Sequence, residues 1–265
     1  MAKERVARAD AEAAQQALAE QNERLRELDR LKDEFISLVS HELRTPLTSI
    51  RGYLELLLDG GAGELSDDQA RFLAVVDRNS KRLMHLVGDL LFLAQIEAGK
   101  LALDLSEVDL NHVVAECVEA ARPMADEKRI TLHAAVEPIP RMVGDGERLG
   151  QVLDNLVSNA LKFTDEGGSV SIRISSTDDE AVVEVEDNGF GIAPEEQAHL
   201  FDRFFRSTEV TERAIPGTGL GLTIAKAIVE RHEGSIEVVS TQGEGTTMRV
   251  RLPMHAAHLS EVVAA

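Results

Sequence analysis

The sequence predicts a two-part molecule, an α-helical hairpin that dimerises into a four-helix bundle, followed by a separate α/β sandwich domain. Three observations predict it. No Gly or Pro interrupts the chain before Pro46. A glycine-rich break at 59–63 is followed by a second helical pattern. Beyond Gly99 the texture changes to short strand-like runs set between helical stretches, as in a mixed α/β domain.

Residues 5–58 read as one long helix rich in Ala, Glu, Leu, Arg and Gln, all strong helix formers. Leu18, Leu25, Leu28 and Phe35 fall at heptad spacings, with Lys32 at an intervening core position, a short and imperfect coiled-coil signature. Asp59-Gly60-Gly61-Ala62-Gly63 ends the helix. Ser66, followed by Asp67, Asp68 and Gln69, is an N-cap for a second one. Phe72, Leu73, Val76, Leu83, Leu86, Val87, Leu90 and Leu93 keep helical spacing to about Ala98, and Gly99 supplies a stop. Two such arms carry more apolar surface than one hairpin can bury, so a homodimer is expected over residues 10–98.

After Gly99, Leu101, Leu103 and Leu105 alternate as in a strand. Helices are expected near 110–127, 145–163, 194–203 and 219–232, and strands near 130–136, 169–175, 181–187, 235–240 and 246–252. Residues 255–265 read as a loose tail.

With 265 residues and a net charge of −19, the chain lacks the basic face of a nucleic-acid binder. Cys117 is the only cysteine, which excludes an internal disulfide and fits a reducing compartment. No apolar run approaches the roughly 20 residues that span a bilayer. A cytoplasmic location is expected, including that of the inner portion of a membrane receptor.

His41 stands in Phe35-Ile-Ser-Leu-Val-Ser-His41-Glu42-Leu43-Arg44-Thr45-Pro46-Leu47. A lone helical histidine is usually a surface or core residue, but three neighbours change the reading. Glu42 can accept a proton from one imidazole nitrogen and leave the other free to attack phosphorus. Thr45 lies one helical turn on, on the same face. Pro46 removes a backbone hydrogen bond from the helix, as a functional kink or as a tolerated one. A neutral imidazole is nucleophilic near pH 7, and its phosphoramidate is labile enough to pass a phosphoryl group to a carboxylate.

Four further signals lie in the second domain. Asn155 and Asn159 stack on one helix face with Lys162 following at i+3. An asparagine oxygen suits Mg²⁺, which keeps water and phosphate as its other ligands, and a lysine beside it balances phosphate charge. Capping or surface asparagines are the plainer reading. Asp187-Asn188-Gly189-Phe190-Gly191 follows a strand, so that a buried Asp187 can accept from the amine of adenine while glycines admit the ring; an ordinary Asp-Asn-Gly turn is the alternative.

Gly217-Thr218-Gly219-Leu220-Gly221 precedes a helix, an arrangement that offers backbone N–H groups to phosphates. Position 222 is Leu and position 194 is Pro, so neither glycine run meets the dinucleotide fingerprint, and no Walker motif is present. Gly243-Glu244-Gly245-Thr246 fits a tight turn between strands. Between these, Leu200-Phe201-Asp202-Arg203-Phe204-Phe205-Arg206 and the polar stretch to Arg213 suggest a lid, with Arg203 or Arg206 placed to stabilise charge on a transferred phosphoryl group; the bland reading of the phenylalanines is a packed helix end.

Together these stretches resemble the sensor histidine kinases. His41-Glu42-Leu43-Arg44-Thr45-Pro46 is similar to their phosphoacceptor box. The segments around Asn155/Asn159, Asp187–Gly191, Leu200–Phe204, Gly217–Gly221 and Gly243–Thr246 are similar to their asparagine, glycine and phenylalanine boxes, in the family's order. Each is weak or moderate alone, and the match runs over about 30–253. The resemblance implies a signalling helix at 1–30, a dimerisation and phosphotransfer domain at 31–99, a catalytic domain at 105–253 of the Hsp90-like ATPase type, and a tail at 254–265.

For the site, it implies catalysis by His41, Glu42, Thr45 and Arg206. It implies ATP binding by Asn155, Asn159, Lys162, Asp187, Gly189, Gly191, Gly217, Gly219, Gly221 and Thr246, with Mg²⁺ on Asn159. The implied partners are a second copy of the chain and a response-regulator receiver domain. The Glu42-x-x-Thr45 spacing resembles the pattern tied to dephosphorylating that partner. A non-kinase ATPase of the same superfamily explains the nucleotide boxes but not the His41 box, and a module using ATP only as a conformational ligand is the third reading.

Overall fold

The computed structural model describes residues 45–61, 63, 65–98, 102–177 and 179–254, with Gln15, Gln21, Glu23, Arg24, Arg26, Glu27, Arg30, Leu31 and Leu43, which are helical. The expected coiled-coil leucines Leu18, Leu25 and Leu28, the tail, and His41 and Glu42 lie outside the described residues. The chain divides into two compact units between Leu101 and Ala102.

In the first unit, residues 45–58 form helix α1 and Asp67–Glu97 form α2. Pro46 is taken up into α1. Ser66 starts α2 with a capping box, its Oγ accepting the Gln69 N–H at 3.3 Å and its own N–H donating to Gln69 Oε1 at 2.9 Å. Leu47 and Leu54 of α1 and Val87, Phe92, Leu93 and Ala94 of α2 are buried. An isolated helix covers no side chain so fully, so these residues close the seam within one chain. A second apolar stripe stays open. Val76, Leu83 and Leu90 repeat every seven residues on α2 and are exposed, as are Phe72 of α2 and Ile50 and Leu56 of α1.

The second unit is a two-layer sandwich. Its strands are β1 Ser106–Val108, β2 Thr131–Val136, β3 Met142–Gly144, β4 Ser169–Ser176, β5 Glu180–Asp187, β6 Ser235–Thr241 and β7 Gly245–Pro253. Its helices are α3 Leu110–Glu127, α4 Gly146–Phe163, α5 Pro194–Gln197, α6 Thr208–Glu212 and α7 Gly221–Arg231. The main sheet runs β2-β4-β5-β7-β6, parallel only between β2 and β4.

Strand alternation separates the two faces of this sheet. Val170, Ile172, Ile174, Ala181, Val183, Val185, Val250 and Leu252 point to one face and are buried, with the apolar faces of α3, α4 and α7 completing the core. The opposite face carries an ion-pair ladder. Arg173 bridges Glu184 and Glu186, and Arg249 meets Glu184 across β5 and β7.

Helix α4 is held at both ends. Asp145 caps its start by accepting the Arg148 N–H at 3.1 Å. The Lys128 ammonium donates to the Leu161, Lys162 and Thr164 carbonyls at 2.7, 3.0 and 3.1 Å, satisfying C-terminal acceptors where a cation also suits the helix dipole.

The structure departs from the expected elements in three places. The alternation of Leu103 and Leu105 is not yet a strand, since the Asp104 N–H goes to Asp145 Oδ2 at 3.0 Å and pairing starts only at Ser106. The expected helix at 194–203 ends at Gln197. Phe204 instead takes a left-handed φ of 61° and donates its N–H to the Gly219 carbonyl at 3.0 Å, which ties the phenylalanine segment to the glycine loop. The polar stretch before Arg213, which shows no periodicity, contains the short helix α6, started by the Ser207 hydroxyl.

Candidate active site

Helix α4 presents Asn155, Asn159 and Lys162 along one face, all half-buried. Its opposite face is fixed in the core by Leu149, Val152, Leu153, Leu156, Val157, Ala160 and Leu161. Among the described residues, none supplies a hydrogen bond or ion pair to these three polar side chains. Burial alone pulls the Lys162 ammonium below its usual range. A half-buried row of amides and an amine without protein partners is a surface prepared for an oxygen-rich ligand.

Asp187 ends β5 on the inward side of the sheet, in line with Val183 and Val185. Its Oδ1 accepts the Gly189 N–H at 2.9 Å. Burial pushes the carboxyl up to about 6, against the lowering effect of the Gly189 and Thr246 backbone N–H groups. Thr246 is therefore a support of Asp187, standing opposite it in the β5–β7 register. Its hydroxyl lies 2.9 Å from Ser240 Oγ, which also accepts the Ile192 N–H.

The backbone around this carboxylate is packed beyond what a side chain would allow. Gly245 has φ +122°, and a Cβ there would lie 2.0 Å from the Asp187 carbonyl oxygen. Gly191 has φ +65°, and a Cβ there would lie 2.0 Å from the Thr241 carbonyl oxygen. Gly189 sits beside the Phe163 carbonyl at the end of α4, so the turn after Asp187 and the asparagine helix are neighbours.

The second glycine run meets the same helix. Gly221 opens α7, and its Cα faces Asn155 closely enough that a Cβ would stand 3.0 Å from Asn155 Oδ1. Helix α7 has no side-chain cap, and although the Leu220 N–H before it donates to the Thr218 hydroxyl at 3.1 Å, the N–H groups of its first turn are available to an anion. Gly219 backs onto the Phe204 backbone. The fold thus gathers Asn155, Asn159, Lys162, Asp187, Gly189, Gly221 and Thr246 around one end of the sandwich.

Arg206 is placed differently from its expected role. Its guanidinium donates to the Ile215 carbonyl at 2.6 Å and the Val210 carbonyl at 3.4 Å, holding the lid to itself. Thr45 is an exposed residue of α1. Cys117 is buried, and burial with Asp154 nearby pushes its thiol up to about 12, which leaves no thiolate near neutral pH.

Several residues that frame the site escaped the sequence reading. His232 is fully buried; its Nδ1 donates to the Ile228 carbonyl at 2.8 Å while its Nε2 accepts the Asp145 N–H at 3.0 Å, joining the end of α7 to the start of α4. Asn188 accepts the Ser169 N–H at 2.7 Å. Lys128 caps α4 from the end of α3. Nothing in the local pattern marks these, because the bonds that join separate elements reach partners 19 to 87 residues away.

Two family models match the chain. One, described as "Histidine kinase-, DNA gyrase B-, and HSP90-like ATPase", matches residues 144–256, and the other, "His Kinase A (phospho-acceptor) domain", matches residues 31–99. The chain belongs to the sensor histidine kinases. It is 38% identical over 235 residues to the sensor histidine kinase WalK of Bacillus subtilis, covering 85% of this chain and 37% of WalK. It is 36% identical over 241 residues to the circadian input-output histidine kinase CikA of Thermosynechococcus vestitus, covering 90% of this chain and 33% of CikA.

Among solved structures, full-length ShkA in complex with AMPPNP superposes with a TM-score of 0.71 at 32% identity, covering 83% of this kinase and 45% of ShkA. The mycobacterial sensor histidine kinase MprB matches at 34% identity and a TM-score of 0.51, covering 56% of this kinase and 97% of that chain. The chain spans about a third of the length of the curated relatives it matches. Among the described residues, no helix is long and apolar enough to cross a membrane.

Proposed function

We propose that the chain binds Mg-ATP in its second unit, phosphorylates His41, and passes the phosphoryl group to an aspartate on a response-regulator receiver domain. The observation that carries this reading is Asp187. A carboxylate at a strand end, buried to a value of about 6 and backed by a glycine turn, is a single deep acceptor suited to the exocyclic amine of adenine. The unpartnered α4 face and the uncapped start of α7 suit the phosphates.

Asn159 is the proposed Mg²⁺ ligand. Its half-buried amide oxygen is a hard donor, and no group of three or more acidic, histidine or cysteine side chains forms a metal cage among the described residues. That donor set fits an ion held mainly by water and phosphate, which would supply charge neutralisation at the phosphates. Lys162 adds charge beside them. Arg206 reaches the phosphates only by giving up the Ile215 carbonyl, so its contribution follows a rearrangement of the lid.

In the transfer itself, one His41 nitrogen bonds to the γ-phosphorus as the bond to the bridging oxygen breaks, and ADP leaves. The imidazole proton passes to Glu42. The N–P bond then breaks as a receiver carboxylate takes the phosphoryl group. Thr45, exposed and four residues after His41 in the sequence, orients a water toward the receiver's phospho-aspartate in the reverse reaction. The open apolar stripe of the first unit supports a homodimer.

Incubation with γ-labelled ATP tests the reading. Wild type should carry acid-labile, base-stable label, and His41→Gln should carry none while still binding ATP. Label retained on His41→Gln would remove the assignment. Thr45→Ala should keep autophosphorylation within a few-fold and lose most dephosphorylation of the partner; undiminished dephosphorylation would leave Thr45 a structural helix residue.

A further inference from the structure

Arg213, at the end of α6, makes three contacts that no part of the proposed chemistry uses. Its Nε donates to Glu209 Oε1 on its own helix at 2.5 Å. Its Nη1 donates to Asp165 at 3.0 and 3.4 Å, on the turn that leaves α4. Its guanidinium carbon stands 4.8 Å from the centroid of the Phe190 ring. Phe190 lies between Gly189 and Gly191, and its ring packs on Phe163, the last residue of α4, at 5.6 Å. One side chain of the lid is thereby fastened to both elements that shape the adenine end of the site.

The geometry differs from a chance surface pair in its planarity and its convergence. The guanidinium fork uses one edge on carboxylates and one face on an aromatic ring, which lysine cannot do. Phe190 and Asp165 approach it from different segments that are themselves joined, since the Phe190 N–H donates to the Phe163 carbonyl. The far side of the lid is fastened independently, with Glu196 Oε1 accepting the Thr208 N–H at 2.8 Å and its hydroxyl at 2.7 Å.

We propose that Arg213 is a positioning residue that latches the lid onto Asp165 and Phe190 and so sets how long a nucleotide stays bound. The proposal rests on the nucleotide reading of the same site. Arg213 and Asp165 are 40% and 77% exposed, which makes the latch a weak one. A weak rim contact suits a lid that must open on every turnover, because it slows product release without trapping the product.

The test follows release of a fluorescent N-methylanthraniloyl ADP from the full chain, chased with excess ATP and Mg²⁺ in a stopped-flow instrument. Arg213→Ala is expected to release about five-fold faster than wild type. Arg213→Lys should recover only part of the slow release. Asp165→Asn should accelerate release less than Arg213→Ala and add nothing to it in the double variant, because the two act through one contact.

A release rate for Arg213→Ala equal to wild type, or effects of the two substitutions that add in full, would overturn the latch while leaving nucleotide binding intact. A wild-type chain that binds no labelled ADP would overturn the nucleotide reading and the latch with it. Chymotryptic cleavage at Phe204 and Phe205 in the nucleotide-free chain gives a second readout. It should quicken several-fold in Arg213→Ala, and unchanged cleavage together with unchanged release counts against the latch.

Discussion

The Asp187 carboxyl and the Gly189 N–H form a two-residue bracket closed at 2.9 Å, and that bracket aims one carboxyl oxygen while occupying the other. Asp187 is buried deeply enough that burial, not charge, dominates its acidity.

ATP affinity is expected to follow the ionisation of this group. Its folded value of about 6 lies above the ordinary 3.8, so the nucleotide-free fold takes up a proton on acidification and loses stability as pH rises between those two values. Adenine needs the ionised acceptor, so binding has the opposite sign and weakens as pH falls below about 6, by roughly ten-fold at one pH unit lower. Titration calorimetry at several pH values checks this. Asp187→Asn should bind ATP about 1–3 kcal/mol less tightly and show no such step.

His232 should make the second unit sensitive to acid. Its neutral ring is required by its two bonds, one donated to Ile228 and one accepted from Asp145. Burial holds its imidazole below the ordinary 6.5, so its contribution is complete above that value and is lost as pH falls through the lower folded one. His232→Leu removes the partner of a buried N–H and is expected to destabilise the fold by about 1–3 kcal/mol, read by urea unfolding at pH 7.5. The same variant should flatten the acid limb of the stability profile.

Four exposed residues sit in the left-handed region without being glycine, Arg129 at φ 55°, Phe204 at φ 61°, Ala214 at φ 51° and Glu233 at φ 59°, and of these Arg129 and Glu233 directly follow the C-caps of α3 and α7. Strain there costs about 1–2 kcal/mol, partly offset by the larger entropy that glycine loses on folding. Glu233→Gly should therefore stabilise the chain by about 0.5–1 kcal/mol, and Arg129→Gly by less because it gives up the ion pair with Glu166. Denaturant midpoints with unchanged slopes check both.

The open stripe on α2 predicts how the dimer can be broken. Leu83 and Leu90 are exposed at 43% each in the single chain. In the proposed homodimer a glutamate at either place would be buried, so Leu83→Glu and Leu90→Glu should sediment as monomers at micromolar concentration while wild type sediments as a dimer. Nucleotide binding by the second unit, read by titration calorimetry, should be unaffected.

Much of the secondary structure was legible locally. Ser66 reads as a cap because a short side chain before an apolar-periodic run has one evident use, and it caps α2; Asp109 and Asp145 do the same for α3 and α4, which only the structure shows. The strands from Ser169 to Asp187 read correctly because a half-buried strand writes its two faces into alternate residues. The stretch after Gln197 misled for a related reason. Leu200, Phe201, Phe204 and Phe205 are apolar at helical spacing, but Phe204 turns left-handed and donates to the Gly219 carbonyl, and no period within the segment reports a contact made 15 residues away.

By itself the sequence determined which residue types could do chemistry and in what order they come: an imidazole with a neighbouring carboxylate, two asparagines and a lysine one turn apart, and an aspartate before a glycine turn. Those are matters of covalent order and helical or strand period, which the chain carries at every length. The tertiary structure alone decided that Asn155 meets Gly221, that the Thr246 N–H supports Asp187, that Arg206 donates to the Ile215 carbonyl, and that His232 ties α7 to α4. Each joins segments far apart in the chain, and which of many possible partners a polar group takes is settled only when the apolar core has brought those segments within hydrogen-bond reach.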